Sequence, residues 1–113
     1  MLVRQRFEGE YARLFETTGY GTTNWSPLCM GLLTGKYNDG VIPEGSRFAV
    51  QGFLGRYWDL YFSEGKKEKT IAMFKGIKDI ADEMGVTQAQ LALGWAIANK
   101  DVSTAICGYS QIE

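Results

Sequence analysis

The sequence has no histidine, and its 113 residues include only two cysteines and two prolines. Without histidine, this chain by itself can form neither a Ser-His-Asp or Cys-His catalytic group nor a His-ligated zinc site. Cys29 and Cys107 lie far apart and form no CxxC motif, so the sequence predicts no metal site and no redox pair. Two separate thiols are typical of a reduced, intracellular protein.

An excess of charge and a long apolar run are also lacking. The formal net charge is −1 at pH 7, which provides no basic surface for nucleic acid or for an acidic membrane. No run of about 20 apolar residues occurs, and the sequence that follows Met1 does not have the pattern of a signal peptide. We therefore expect a cytoplasmic protein that neither inserts into membranes nor binds nucleic acid.

The first half of the chain predicts a helix, a strand and a long loop. Apolar residues at helical spacing over 4–17 indicate an amphipathic helix, which Gly19 would end. The β-branched and aromatic residues within 20–26 favour a strand, and Pro27 cannot continue its hydrogen-bond ladder. Residues 27–55 are rich in glycine and predict an irregular loop, whose aromatic side chains indicate a functional role rather than disorder.

The second half predicts two helices and a second strand. Apolar residues share one face over 63–84, while Thr87 and Gln90 are spaced as a capping box that starts another helix. That helix extends to about residue 99 and carries almost no charge, so we expect it to be buried on nearly all sides. Residues 103–107 predict a buried strand.

The order of these elements is typical of a parallel α/β architecture, because parallel strands need helical crossovers. Two parallel strands with both edges exposed do not make a stable sheet. We therefore expect the chain to be part of a larger fold.

The most informative segment is residues 21–37, GTTNWSPLCMGLLTGKY. It predicts a strand that ends at Trp25, followed by a turn broken by Gly and Pro that leads to Lys36. This arrangement places a flat aromatic surface and a cation at one end of a sheet. A ring that is joined to phosphates needs both features.

Three strings in this order resemble the C-terminal part of an aldo-keto reductase, in the branch of the voltage-gated potassium channel β subunits: EYARLFETTGYGTTNWSPLCMGLLTGKYN, IPEGSRF and GVTQAQLALGWAIANKDVSTAICGYS. The resemblance implies that residues 1–113 form a partial aldo-keto reductase domain. Its fold class would be α/β, the last two strands and their helices of a (β/α)8 TIM barrel of about 250 residues. The family binds NADP(H) at the carboxyl ends of its strands.

The resemblance also implies which residues would bind that cofactor. The aromatic ring at position 25 would stack on the nicotinamide, the turn after it would hold the pyrophosphate, and later cations and polar groups would contact the adenosine phosphates. The implied residues are Trp25, Ser26, Pro27, Leu28, Cys29, Lys36, Arg47, Gly108 and Ser110. The bulk of Met30 is expected to narrow the pocket, and the family's catalytic tetrad lies on earlier strands, so no residue here is given a catalytic role.

Each assignment has a plainer alternative. Trp25 is also compatible with packing in a barrel core, Cys29 with a small buried apolar role, and Lys36 and Arg47 with exposed surface charges. Aromatic residues of 52–62 either contribute to a substrate pocket or only pack over the barrel.

Three functions remain open. The first is the NADP(H)-binding part of an enzyme that reduces carbonyl compounds by hydride transfer. The second is a regulatory β subunit that docks on a potassium channel, and the third is a fragment without independent function that would aggregate or form a homo-oligomer. The substrate itself is not identified by these residues.

Overall fold

The computed structural model describes residues 1–50 and 52–109. Ser110 lies outside the described residues. The elements, in chain order, are a π-helical turn Arg6–Glu10, α1 Ala12–Thr18, β1 Thr22–Trp25, a 3-10 helix Cys29–Thr34, α2 Arg47–Val50, a 3-10 helix Gly52–Leu54, α3 Gly55–Phe62, α4 Lys67–Glu83, α5 Gln88–Ile97 and β2 Val102–Ile106.

The two strands form a parallel sheet, as the sequence predicted. Trp25 lies opposite Ile106, so the carboxyl ends of both strands meet at one edge of the sheet. At the other end, the backbone N–H and the hydroxyl of Thr22 both donate to the Asp101 carbonyl, each at 2.9 Å. The sheet therefore directs the residues that follow β1 and β2 towards a common region.

Local signals in the sequence fix several of the boundaries. Gly19 ends α1 in the left-handed conformation, with φ of 67°. Thr87 and Gln90 form the predicted capping box: the Thr87 hydroxyl accepts from the Gln90 N–H at 3.1 Å, and the Gln90 side chain accepts from the Thr87 N–H at 2.9 Å. The predicted helix over 63–84 is confirmed as α4, which is somewhat shorter.

The loop predicted over 27–55 is more regular than expected, since it contains the 3-10 helices and α2. The helix α3, which begins at Gly55, was not predicted from the sequence. This helix packs against distant parts of the chain, because Trp58 meets the ring of Tyr37 edge-on at 5.8 Å and Phe62 meets the ring of Phe74 edge-on at 5.9 Å. Within the helix, Trp58 stacks on Phe62 with ring centroids 4.0 Å apart.

The core lies between this loop, α3, α4 and α5. Its buried members are Leu32, Leu33, Tyr37, Phe48, Leu54, Phe62, Phe74 and Ala92. Aromatic rings dominate it, and edge-on or stacked ring pairs add to the free energy of apolar burial. The core therefore holds the loop segment that carries Lys36 and Arg47 against α3, α4 and α5.

Two predictions of burial are wrong. The helix expected to be buried on nearly all sides is α5, yet Trp95 is 37% and Ile97 59% exposed. The strand expected to be buried is β2, in which Ile106 is 55% exposed. The cause is the two-stranded sheet: it gives these apolar side chains no further layer to pack against. Among the described residues, no helix combines the length and the apolar character needed to cross a membrane.

Candidate functional site

The turn after β1 has an unusual backbone. Ser26, Cys29 and Met30 adopt positive φ values of 55°, 49° and 58°, although none of them is glycine, and Gly31 follows at 104°. The left-handed conformation costs roughly 1–2 kcal/mol for a residue with a Cβ. Such strain is concentrated at ligand-binding sites, and alternation between right- and left-handed residues turns backbone N–H groups towards a common anion.

Hydrogen bonds hold this turn closed. The Cys29 N–H donates to the Ser26 carbonyl at 2.9 Å, and the Gly31 N–H donates to the Leu28 carbonyl at 3.0 Å. The Leu33 N–H also donates to the Leu28 carbonyl, at 3.2 Å. Since Leu33 is buried, the strained turn is attached directly to the core.

The segment that carries Lys36 is held on both sides. Before it, the Thr34 hydroxyl donates to the Gly31 carbonyl at 2.7 Å. After it, Tyr37 is only 1% exposed and meets Phe48 edge-on, with centroids 5.2 Å apart. Lys36 itself is exposed. The result is an exposed cationic side chain on a backbone that is held on both sides.

Arg47 begins α2, one residue after a tight turn in which the Ser46 N–H donates to the Pro43 carbonyl at 3.1 Å. The Ser46 Oγ is buried and has no hydrogen-bond partner among the described residues. A buried hydroxyl without a partner costs about 1–3 kcal/mol. This position therefore destabilises the chain unless a ligand or water satisfies it.

Two clefts lie beside these segments. We call the first, of about 720 Å³, the Lys36 cleft; its lining includes Leu28, Thr34, Lys36, Ser46, Arg47, Ala89, Gly108 and Tyr109. The second, of about 510 Å³, is the Trp25 cleft, lined by residues that include Asn24, Trp25, Cys29, Tyr57, Tyr61 and Trp95. Ser26, Pro27 and Met30 line both. The strained turn is thus the boundary at which the two clefts adjoin.

The structure distributes the predicted site residues over both clefts. Leu28, Lys36, Arg47 and Gly108 lie in the Lys36 cleft. Trp25 and Cys29 lie in the Trp25 cleft, and Ser26 and Pro27 belong to both. Trp25 is 74% exposed and is therefore not a core residue of this chain. Trp25 lines a different cleft from Lys36 and Arg47. The two residues that follow it, Ser26 and Pro27, line both clefts.

The charges of the Lys36 cleft have one sign. Among its described lining residues, the charged side chains are Lys36 and Arg47, and no carboxylate is present. The Trp25 cleft, in contrast, is largely aromatic and aliphatic. Together they offer a cationic compartment beside an apolar one.

The Trp25 cleft also contains a thiol–phenol contact that the sequence analysis missed. The Cys29 thiol donates to the Tyr61 hydroxyl at 3.8 Å, and the two residues are 32 positions apart. Burial is the main cause that raises the pKa of the Cys29 thiol. Burial, followed by the neighbouring Cys29, raises the pKa of Tyr61 to about 12. Both groups are therefore neutral at pH 7.

The sequence indicated Ser46 and Tyr61 to different extents. Ser46 is within the IPEGSRF string, but only the three-dimensional structure shows that its hydroxyl is buried without a partner. Tyr61 is in an aromatic segment that the sequence marked as either pocket or packing, and its position in the Trp25 cleft favours the pocket.

Comparison with known proteins gives a consistent result. The family model described as "Aldo/keto reductase family" matches residues 1–113. A "Probable voltage-gated potassium channel subunit beta" of Arabidopsis thaliana is 42% identical over 108 residues, which is 96% of this chain and 31% of that protein. One of the same name from Oryza sativa subsp. japonica is 41% identical over 105 residues, 93% of this chain and 30% of that protein. The chain thus spans about three tenths of the length of these curated relatives.

Proposed function

This chain belongs to the aldo/keto reductase family, and we propose that it forms the NADP(H)-binding portion of that family's barrel. In this proposal β1 and β2 are the seventh and eighth strands of the (β/α)8 fold, and the two clefts at their carboxyl ends hold the cofactor. A single observation supports this proposal: a cationic cleft and an aromatic cleft adjoin at one strained turn.

The residues present fit a phosphorylated dinucleotide. The unpartnered Ser46 Oγ is a hydroxyl donor next to Arg47 in the Lys36 cleft, where a phosphate oxygen would satisfy it. Lys36 would neutralise phosphate charge, and the guanidinium of Arg47 would bind phosphate through its planar fork. On the other side of the turn, Trp25 would provide a flat surface for the nicotinamide ring.

NADP(H), when bound, supplies the hydride that the family transfers to carbonyl compounds. The contribution of this chain would be to bind and orient. Trp25 would hold one face of the nicotinamide, and the Ser26–Pro27 turn would fix the distance between the ring and the phosphates. No residue of this chain is proposed as proton donor, so the isolated chain is expected not to reduce carbonyls.

A second candidate function is that of a regulatory β subunit of a potassium channel. The observation that favours it is the name of the relatives from Arabidopsis and rice. Both functions would use the same cofactor site, so the site does not separate them. Retention of the chain on an immobilised cytoplasmic tetramerisation domain of a potassium channel would support the second; no retention would count against it.

The exposed apolar residues support the view that this is a part of a larger barrel or of an assembly. Trp95, Ile97 and Ile106 all present apolar surface beside a sheet of two strands. We expect the purified chain to associate at high concentration, as measured by light scattering after size exclusion. A monomer that unfolds cooperatively across the whole concentration range would contradict this, and it would also speak against a non-functional fragment.

The experiment that tests the cofactor proposal is titration of the purified chain with NADP⁺, followed by calorimetry and by tryptophan fluorescence. The chain has three tryptophans, and Trp58 is packed against Phe62, so it serves as an internal reference. We expect saturable heat and a fluorescence decrease that is lost in Trp25→Leu. Absence of saturable binding by the wild-type chain, or NADPH-dependent reduction of an aldehyde by this chain alone, would overturn the proposal.

A further inference from the structure

Two amide side chains join the segment after Lys36 to the first residue of α5. The Asn38 Nδ2 donates to the Gln88 Oε1 at 2.8 Å, and the Gln88 Nε2 donates back to the Asn38 Oδ1 at 3.3 Å. The two residues are 50 positions apart. Gln88 is only 3% exposed, so water cannot replace its partner. A reciprocal amide pair of this kind fixes both the distance and the relative orientation of the two backbones.

Neither amide lines the Lys36 cleft, but each is next in sequence to a residue that does, Tyr37 or Ala89. On one side, Asn38 is two residues after Lys36, and its N–H bonds back to the Gly35 carbonyl at 3.4 Å. On the other side, Gln88 is followed by Ala89, which lines the cleft, and α5 packs against β2, which leads to Gly108. A change in the Asn38–Gln88 distance would therefore move Tyr37 relative to Ala89, and both of these residues line the cleft.

The chain turns towards the start of α5 at a glycine, whose left-handed backbone conformation residues with a Cβ rarely adopt. Gly35 has a φ of 92°, and a Cβ built on it would lie 3.5 Å from the Gln88 Oε1. The segment from Gly35 to Asn38 therefore lies directly against the start of α5. Of these four residues only Lys36 is exposed, since Tyr37 is in the core and the other two are partly buried.

We propose that Asn38 and Gln88 are positioning residues for phosphate binding: their amide pair sets the width of the cleft and holds the Lys36 backbone in place before the ligand arrives. This inference rests on the proposed cofactor function. Its physical basis is preorganisation, because a segment that is already ordered loses less conformational entropy on binding. Neither amide needs to contact the ligand for this effect.

The test compares two glutamines in the first turn of α5. Gln88→Leu removes the amide pair and nearly preserves side-chain volume, whereas Gln90→Leu removes a capping-box hydrogen bond and leaves Asn38 paired. Both variants are expected to lower the melting temperature. Only Gln88→Leu should weaken NADP⁺ binding, by about three- to tenfold, the size of one net hydrogen bond. Equal losses in the two variants would overturn the proposal.

A double-mutant cycle with Lys36 distinguishes positioning from general stability. If Gln88 acts through Lys36, then Gln88→Leu should weaken binding in the wild-type background but not further in Lys36→Met. The exchanged pair Asn38→Gln with Gln88→Asn keeps both amides and should restore most of the affinity. Additive losses in the cycle, or no recovery in the exchanged pair, would contradict a positioning role.

Amide hydrogen exchange, measured without ligand, tests this inference separately from the cofactor proposal. It can be used even if the Gln88→Leu variant is too unstable to study. Asn38→Leu changes a partly buried side chain and should accelerate amide hydrogen exchange at residues 35–40 while exchange in α4 is unchanged. Unchanged exchange at 35–40 would overturn the inference even if NADP⁺ binds. Absence of NADP⁺ binding in the wild-type chain, with accelerated exchange in Asn38→Leu, would overturn the cofactor proposal and with it the role in phosphate binding.

Discussion

Replacement of Lys36 by methionine should weaken NADP⁺ binding about fivefold. Methionine keeps a long apolar side chain and removes the charge. Two unit charges about 4 Å apart interact by about 1 kcal/mol in bulk water and about 4 kcal/mol at the effective dielectric of a protein surface. Lys36 is exposed, so the lower end applies, and about 1.4 kcal/mol corresponds to a factor of ten in the dissociation constant.

The assay is a calorimetric titration with NADP⁺ at several salt concentrations. A charge contact weakens with salt, since the screening length falls from about 10 Å at 0.1 M to about 3 Å at 1 M. The difference between wild type and Lys36→Met should therefore shrink as salt is added. Lys75→Met is the matched control, because Lys75 is an exposed lysine on α4 and lines neither cleft.

Two results would refute this reasoning. If Lys36→Met binds NADP⁺ as tightly as wild type at low salt, Lys36 is an idle surface charge. If Lys75→Met loses as much affinity as Lys36→Met, the effect is one of net charge and the Lys36 cleft has no special role. Loss of binding to Lys36→Met alone, with a salt-dependent difference, is the result expected from the cleft.

Three further predictions concern the site and its support. Ser46→Ala should raise the free energy of unfolding by about 1 kcal/mol, because it removes a buried unpartnered hydroxyl, and should weaken NADP⁺ binding; a loss of stability in denaturant titration would contradict this. Gly40→Ala should lower the melting temperature more than Gly45→Ala. Both glycines have positive φ (69° and 71°), but of the two only Gly40 has close neighbours for a Cβ, the Ile71 Cδ1 at 3.2 Å and the Phe62 Cδ1 at 3.3 Å. The pKa of Tyr61 is raised to about 12 from its ordinary 10.0, so the stability linked to its neutral form is present below pH 10 and is lost as pH rises through 12. Absorbance at 295 nm, which follows tyrosine ionisation, should rise in a step near pH 12 that is missing in Tyr61→Phe.

Local patterns in the sequence were sufficient for the elements that depend on local interactions. The capping box of Thr87 and Gln90 is completed within three residues, and Gly19 ends α1 by its own backbone conformation. The strands were placed to within two residues, because β-branched and aromatic residues mark them and Pro27 ends the first. These features require no knowledge of the rest of the fold.

Other features depend on distant contacts and left no local signal. The helix α3 is stabilised where Trp58 and Phe62 meet the rings of Tyr37 and Phe74, which come from other segments. The exposure of β2 was mispredicted for a related reason: an apolar strand is buried only if a neighbouring layer covers it. In the structure, the described site residues are divided between two adjoining clefts and do not share one. The turn after β1 separates these clefts, and the spacing of the residues in the sequence does not indicate this separation.

Several features that cost stability lie close together in this chain. Left-handed backbone at Ser26 and Met30, an exposed indole at Trp25 and a buried hydroxyl at Ser46, which has no partner in the described part of the chain, all border the two clefts. Each would be removed in a sequence optimised only for stability, since each costs roughly 1–3 kcal/mol or exposes apolar surface. A ligand with a flat ring at one end and phosphates at the other would cover the indole, bind the hydroxyl and hold the strained turn in its conformation. Functional sites are where such costs are retained, because the binding free energy of the ligand offsets them.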